Sequence, residues 1–291
     1  MVKQKGIKSY VYKRVFFEKI LPYSLMSVIA VILVFPYFYM VMKSLMTSEE
    51  VIQSVPKVFP QSPQFINYVS IFTEKNYLKA TLNTMYIIVF NSVAIPLSAS
   101  IIAYSFAKLK WIGKNVMFAL MMSTIMLPGV ATQIPLYVMF ASFNWIDTLL
   151  PFTIPNLFGG SAIFIFLIRQ FMLNVPKDID DAAKIDGANA WTRYFTIMLP
   201  LCKPVLMYII VNIFIMNWGD FYGPLIYMSS SEAPRTLAYV VFLDSTQKEA
   251  ATYYANLRMA GGVFMSIIPA ALFFAFQKQL VQGVITTGLK G

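Results

Sequence analysis

The sequence contains no histidine and one cysteine, Cys202, and only 12% of its 291 residues are charged. Soluble domains carry about 25% charged residues, so this chain has too few for an ordinary globular surface. Without histidine, histidine-based metal sites and histidine catalysis are excluded, and one cysteine cannot form a disulfide within the chain. No phosphate-binding loop of the type G-x-x-x-x-G-K-[S/T] occurs either, so we expect no ATP hydrolysis of that kind by this chain.

Hydrophobic residues make up 58% of the chain and are gathered in long runs. A helix needs about 20 mostly apolar residues to cross a bilayer. Six segments meet this condition: 21–42, 82–106, 116–140, 149–168, 201–228 and 259–281. Runs of this length without strict alternation predict helices rather than strands. The first run follows a basic stretch but is too long for a signal peptide, so we interpret it as an uncleaved span.

Lysine and arginine are distributed unevenly among the loops and tails. They concentrate in the N-terminal tail, in the loops after the second and fourth segments, and more sparsely in the C-terminal tail. Because these residues favour the cytoplasmic side, we predict an all-α membrane protein with six transmembrane helices and both termini cytoplasmic. The predicted tails are 1–20 and 282–291, and the transmembrane domain is 21–281. This distribution accounts for the net charge of +10 without nucleic acid as a partner.

Prolines and glycines interrupt three consecutive segments. The interruptions lie at Pro128-Gly129 and Pro135, at Pro151, Pro155 and Gly159-Gly160, and at Gly219, Gly223 and Pro224. Irregular backbone is tolerated in a membrane only where it packs in protein or lines a cavity. An ordinary kink explains any single one of them, whereas three interrupted segments together favour a nearby substrate pathway. In the polar outer loop 47–79 we expect a short helix near 64–73.

The loop 177–200 is unusually polar for a connection between spans. Pro176 can open a helix, because its missing N–H has no partner there in any case. Acidic residues in the first turn, Asp178 and Asp180 among them, suit the helix dipole. Gly187 is a natural helix stop, since glycine adopts the left-handed conformation at little cost.

A second amphipathic stretch begins after this turn and ends at Pro200. The residues expected on its apolar face are Trp191, Phe195 and Met198. Two short helices joined by a rigid turn suit a docking element, because small side chains at Ala182 and Ala183 let another surface approach closely. The alternative is an amphipathic helix lying on lipid headgroups, but the acidic residues argue against it because the cytoplasmic leaflet is itself negative.

The segment Asp181-Ala182-Ala183, with Gly187 three residues later and Leu199-Pro200 further on, closely resembles the signature of bacterial ABC importer permeases. That signature begins Glu-Ala-Ala, so aspartate here keeps the charge but shortens the reach. Other stretches resemble the sugar-importer branch and its six-span partner of the maltose-transporter type: Ile185 to Ala188, Leu127-Pro128, Ile134 to Tyr137, Asn217-Trp218, Pro224-Leu225 and the tail from Gln277.

The resemblance implies an ABC type I importer permease fold in the bacterial inner membrane, with a cytoplasmic coupling helix. The residues implied in coupling to the ATPase are Asp181, Ala182, Ala183, Ile185, Asp186, Gly187, Ala188 and Pro200. The implied partners are a homologous second permease, two ATPase subunits that bind ATP and Mg, an external solute-binding protein, and a sugar, most readily an oligosaccharide. No metal or cofactor is expected on this chain itself, and the C-terminal tail is expected to reach back toward the ATPase pair.

Substrate contacts are expected near the interruption of the fifth segment. Aromatic, amide and carboxylate side chains of the kind that hold sugars cluster there: Asn217, Trp218, Asp220 and Tyr222. A charge within a span suggests function, although Asp220 could equally serve as an interfacial or capping group. For Asn91 and Asn156 we expect hydrogen bonds between helices. Two alternatives are disfavoured. A self-contained secondary transporter needs intramembrane charges and internal repeats, and a membrane-embedded enzyme needs paired catalytic groups; the sequence shows neither set.

Overall fold

The computed structural model describes residues 16–53, 55, 57–73, 76–246 and 254–288, with side chains from 17 to 277. Every regular element in these ranges is a helix, which confirms the all-α prediction. The α-helices are α1 (Leu21–Ser44), α2 (Ser48–Ile52), α3 (Ile66–Thr73), α4 (Tyr77–Lys108), α5 (Lys114–Ser123), α6 (Gly129–Ser142), α7 (Ala162–Asn174), α8 (Lys177–Ile185), α9 (Ala190–Arg193), α10 (Leu199–Leu201), α11 (Lys203–Trp218), α12 (Tyr222–Tyr227), α13 (Leu237–Thr246) and α14 (Ala255–Gly288).

Four helical segments are long and apolar enough to cross a membrane, or up to six when each bent pair counts as one span. The four are 17–44, 77–108, 150–174 and 255–277. The bent pairs are 114–126 with 129–142, which turn by 99°, and 190–201 with 203–218, which turn by 71°. These six stretches overlap the six segments expected from hydropathy, so the chain is a multi-pass membrane protein.

The interruptions expected from proline and glycine occur in all three segments. The backbone breaks between Met126 and Gly129, and again at Gly219 before α12 begins. In the fourth segment residues 150–158 form two 3-10 turns, and the α-helix that follows extends past the expected end at 168, to Asn174. Gly159 and Gly160 adopt φ of +100° and +62°, a left-handed conformation that ends one helical stretch before the next begins.

The chain divides into two compact units, of which the first comprises 1–74 and 244–266. Within this unit a chain of polar side chains joins separate helices: Asn256 Nδ2 donates to Asn67 Oδ1 (3.0 Å) and Ser48 Oγ donates to Asn256 Oδ1 (2.8 Å). Helix α3 confirms the expected short helix near 64–73. Helix α2 was not expected. It begins with a capping box in which Thr47 and Glu50 satisfy each other's backbone N–H groups.

The second unit comprises 75–243 and 267–291, and its core lies where α4, α7 and α11 pack together. Small side chains on α4, Ala99 and Ala103, are fully buried there, which lets the helices approach closely. Cys202 is buried in the same core. Helix α13 was not expected, because the sequence around it reads as a polar outer loop. The N-terminal tail up to residue 15 and residues 289–291 of the C-terminal tail lie outside the described residues.

Candidate functional site

Helix α8 forms as the sequence predicts, shifted by one residue at its start. Pro176 is the N-cap, and Lys177 is the first helical residue. At the other end Gly187 adopts φ of +79°. Its N–H donates to Lys184 O (3.1 Å) and the N–H of Ala188 donates to Ala183 O (2.9 Å). This is a Schellman motif, which ends a helix with a fixed reversal of direction.

The outward face of α8 presents small, apolar and charged groups together. Ala182, Asp186 and Gly187 are exposed, and Ile185 is 86% exposed. Ala183 is buried, so the expectation that both alanines face a partner is wrong for Ala183, which instead lets α8 pack closely against its own chain. Ile185 at the end of α8 is an exposed apolar group that none of the described residues covers.

An exposed ion pair between Lys184 and Asp181 lies on the outward face of α8. Lys184 Nζ donates to Asp181 Oδ1 at 2.6 Å. This hydrogen bond and the charge of Lys184 lower the pKa of the Asp181 carboxyl, and the same bond, with one from Asp180, raises the pKa of the Lys184 ammonium. Both groups therefore stay ionised at neutral pH, although solvent screens their attraction.

The inner side of α8 carries a charged pair that the sequence did not reveal. Asp180 Oδ1 accepts a hydrogen bond from Arg193 Nη1 at 2.9 Å, and both residues are buried. From the sequence, Asp180 is expected only as a first-turn acid, and Arg193 is one of the basic residues in the loop after the fourth segment. The available signal was that Asp180 lies three residues before Ala183, so that the two share a face of α8.

The second stretch is not one amphipathic helix. The Asn189 side chain caps α9 by accepting from Thr192 N–H (2.9 Å), and residues Tyr194–Met198 then form a π-helical turn. Met198 is fully buried, whereas Trp191 and Phe195 are exposed and stack at 6.0 Å. The expected common face is therefore wrong, because the π turn rotates Met198 into the core.

The helical run that contains Pro200, residues 190–201, stops one residue after it, close to the end that the sequence predicts. Pro200 itself is exposed. The chain then turns by 71° into α11.

The loop is fastened at its start to the end of α4. Lys108 Nζ donates to Val175 O (3.2 Å), and Arg169 Nε donates to Phe106 O (3.3 Å). Arg169 also lies 4.2 Å from the ring centroid of Phe118, a cation–π geometry. The residues before α8 are therefore held against α4, so the start of α8 has a fixed position.

A group of three asparagines joins the helices near the interruptions. Asn91 Nδ2 donates to Asn217 Oδ1 (3.1 Å) and to Phe152 O (3.0 Å), and Asn91 Oδ1 accepts from Asn156 Nδ2 (3.1 Å). The expected hydrogen bonds between helices at Asn91 and Asn156 are confirmed. Buried amides of this kind fix the mutual position of helices in a membrane.

A cavity of about 480 Å³ lies beside this group. The polar groups along it are Asn156, Ser161, Asn217 and Asp220, and apolar walls come from Ile95, Phe164, Ile213 and Met216. Asp220 Oδ1 also accepts from Gly223 N–H at 2.9 Å, which is the capping contact that the sequence left open for it. The cavity combines amide and carboxylate oxygens with apolar surface.

Two of the four expected substrate-pathway residues do not line this cavity. Trp218 is 2% exposed, and its ring stacks on Phe214 at 5.4 Å. The Tyr222 hydroxyl donates to Gln133 Oε1 at 3.2 Å, on α6. Asn217 and Asp220 are brought together, whereas Trp218 packs in the interior and Tyr222 faces another helix. In the part of the chain with described side chains, no three acidic or cysteine residues cluster as metal ligands.

Comparisons with known proteins agree with this architecture. Residues 95–286 match the family described as binding-protein-dependent transport system inner membrane component. The arabinooligosaccharides transport system permease protein AraQ of Halalkalibacterium halodurans is 30% identical over 273 residues, covering 90% of this chain and 93% of that protein. The lactose transport system permease protein LacG of Rhizobium radiobacter is 27% identical over 266 residues, covering 91% and 94%.

A solved structure shares the fold. It is the crystal structure of a bacterial ABC transporter involved in the import of the acidic polysaccharide alginate, with a TM-score of 0.74 at 20% identity, covering 94% of this chain and 97% of that one. The matched family model spans well over half of the sequence. The chain therefore belongs to the family of inner membrane components of binding-protein-dependent transport systems, and it is a permease subunit rather than the subunit that hydrolyses ATP.

Proposed function

We propose that this chain forms, with a homologous second permease, the pathway through which a sugar, above all an oligosaccharide, is imported at the expense of ATP. Two separate ATPase subunits bind ATP and Mg, and an external solute-binding protein delivers the sugar. The names of the relatives support a carbohydrate, since they specify lactose, arabinooligosaccharides and galactooligosaccharides. The observation that carries the proposal is α8, a short helix with an exposed apolar tip, a fixed stop and an anchored base.

The proposed topology has six spans, with each bent pair counted as one, and both termini in the cytoplasm of a bacterium. It follows the ABC type I importer arrangement in the inner membrane. The distribution of lysine and arginine supports it, because it places the loop containing α8 on the same side as both tails. On that side α8 can meet an ATPase.

The second permease is proposed to cover α5 and α6. No side chain of α5 is buried in this chain, and the exposed apolar side chains on the two helices include Met117, Leu120, Val130, Ile134 and Val138. The 99° break between the two helices interrupts the helical hydrogen bonds and leaves backbone groups that lipid cannot satisfy. A protein partner on this surface shields them.

Coupling is proposed to run through α8. The contact residues are Asp181, Ala182, Ile185, Asp186, Gly187 and Ala188, with Ala183 and Pro200 supporting them from within the chain. When ATP closes the ATPase dimer, α8 moves with it, and the broken spans switch the pathway from inward-facing to outward-facing.

The substrate pathway is proposed to pass the cavity at Asn217 and Asp220, with Tyr222 at its edge and Trp218 as support. An Asn217→Leu variant removes an amide from the cavity. Asn212→Leu is its control, because the Asn212 side chain donates within α11, to Tyr208 O at 2.8 Å, and Asn212 is not among the residues that line the cavity. Sugar uptake by the assembled transporter is expected to fall in the first variant and to persist in the second. Equal uptake would remove Asn217 from the pathway.

The test of the overall function is purification of the chain in mild detergent from its native host. We expect two ATPase chains and a sister permease to accompany it. Isolation as an active single-chain carrier would establish a secondary transporter instead.

A further inference from the structure

The buried pair formed by Asp180 and Arg193 joins two parts of the loop that the chain connects only through a glycine turn. Asp180 lies on α8, and Arg193 is the last residue of α9. Gly187 lies between them with φ of +79°. As whole residues, Asp180 is 5% exposed and Arg193 is 8% exposed. The pair therefore closes the angle between two short helices from the inside.

Burying two charges is costly unless each is paired and hydrogen-bonded. The Asp180 carboxylate pairs with two cations: Oδ1 lies 2.9 Å from Arg193 Nη1, and Oδ2 lies 2.9 Å from Lys184 Nζ. Arg193 Nε, by contrast, is buried without a hydrogen-bond partner among the described residues. Asp180 is thus the carboxylate on which the buried guanidinium depends, and a plain connector between spans has no need of such an arrangement.

The Arg193 side of this contact is fixed to the transmembrane core. The next residue, Tyr194, shares a hydrogen bond with Ser100 on α4 (2.7 Å between the two hydroxyl oxygens), and its ring lies 5.4 Å from that of Tyr104. Both tyrosines are buried in the core that α4, α7 and α11 build. A force on α8 can therefore reach the spans through Arg193.

We propose that the pair Asp180–Arg193 is the joint that makes α8 move as one body with α9, α10 and α11. The two are positioning residues: they touch neither nucleotide nor sugar, and they convert displacement of α8 into displacement of the spans. Without the pair, α8 pivots at Gly187, and ATP is hydrolysed without opening the pathway. This inference rests on the proposed function as an ATP-driven importer.

The test uses the complete transporter, reconstituted in nanodiscs with its sister permease, ATPase subunits and binding protein. A Ser161→Cys substitution places a thiol at the cavity, while the native Cys202 is fully buried. The probe is a water-soluble maleimide, applied with and without ATP and vanadate, and ATP hydrolysis and amide hydrogen exchange of 177–186 are measured in parallel. In the parent complex, trapped nucleotide is expected to change the labelling rate by about tenfold or more.

The informative variant is Asp180→Asn. We expect it to assemble and hydrolyse ATP, to lose the nucleotide-dependent change in labelling, and to exchange the amides of α8 faster. Asp178→Asn is the matched control, because it makes the same change at an exposed acid of α8 and leaves Asp180 and Arg193 in place; its labelling should change with nucleotide as in the parent. Labelling in Asp180→Asn that still responds to nucleotide would overturn the proposal.

Two further variants keep the proposal testable if Asp180→Asn fails to assemble. Arg193→Lys keeps a cation in the core and is expected to retain part of the nucleotide response. The double variant Asp180→Leu/Arg193→Met replaces the pair by a packed apolar contact, which often preserves folding, and is expected to assemble without the response. A normal response in the double variant would show that packing alone couples α8. A parent chain that co-purifies with no ATPase would instead refute the proposed function itself.

Discussion

Two loops of this chain contain the same local features and are supported very differently. The connection between α4 and α5 has the fully exposed Ile112 followed by Gly113 at φ of +85°, and the α8 region has the exposed Ile185 and Gly187 at φ of +79°. A Cβ atom added at either glycine meets nothing within 4 Å. Only the second loop holds its isoleucine and glycine on a helix with a buried ion pair beneath it. We propose that rigid support, rather than an exposed residue by itself, distinguishes a docking element such as α8 from a connector.

The largest expected difference between the two loops comes from replacing each glycine by valine. A left-handed backbone costs a non-glycine residue about 1–2 kcal/mol, and this cost is the same at Gly113 and Gly187. We expect Gly187→Val to lower sugar uptake per ATP hydrolysed by about tenfold or more, because the new side chain also meets the ATPase. Gly113→Val should leave the ratio unchanged. Equal losses in the two variants would show that backbone strain alone is responsible.

The two exposed isoleucines give the next largest contrast. Burying an isoleucine side chain stabilises a contact by about 1.5–3 kcal/mol, which corresponds to about tenfold to hundredfold in affinity. Ile185→Ser is therefore expected to weaken association with the ATPase subunits by that factor, measured by titrating detergent-solubilised permease with ATPase. Ile112→Ser is the control and should bind as the parent does. Weakening by Ile112→Ser alone would transfer the docking role to the first loop.

Two lysines test how the second loop is anchored. Lys108 Nζ donates across to Val175 O (3.2 Å), whereas Lys114 Nζ donates within its own loop to Leu109 O (2.9 Å). A hydrogen bond from a charged group contributes about 1.5–3 kcal/mol, so Lys108→Met should speed amide hydrogen exchange at the start of α8. Lys114→Met should leave that exchange as it is. If both variants behave alike, the base of α8 is held by other contacts.

The smallest expected effect is that of pH on the pair Asp181–Lys184. The pKa of Asp181 is lowered, so its contribution is present above the ordinary carboxylate range and is lost as pH falls through the lowered value. The pKa of Lys184 is raised, so its contribution is lost only as pH rises through that higher value. Carboxyl chemical shifts of isotope-labelled aspartate, with Asp181→Asn for assignment, should report the titration. A normal or raised pKa for Asp181 would contradict its hydrogen bond with Lys184.

The turn at the end of α8 could be predicted from the sequence because its cause is local. Gly187 and the acids after Pro176 act within one or two turns of backbone, and the structure confirms the stop to the residue. The buried pair could not be predicted in this way. Asp180 and Arg193 lie on different helices, and nothing in the spacing of either marks the other as its partner.

The π-helical turn escaped prediction for a related reason. In a regular helix Trp191, Phe195 and Met198 share a face. The wider turn instead begins at Tyr194, whose side chain contacts Ser100 and Tyr104 on α4, and such long-range contacts cannot be read from local spacing. The cavity shows the same limit. Asn217 and Asp220 could be proposed from residue type, whereas the burial of Trp218 depends on α11 being packed as it is.

The stacked rings of Trp191 and Phe195 bear on how deeply the second unit lies in the bilayer. Large aromatic side chains of tryptophan are favoured at the boundary between lipid tails and headgroups, and this pair is exposed just before the chain enters α10 and α11. We therefore expect the two rings to set the depth of the second unit in the bilayer on this side. Under the proposed function, they would also set the distance between the membrane surface and α8, and with it the height at which an ATPase docks.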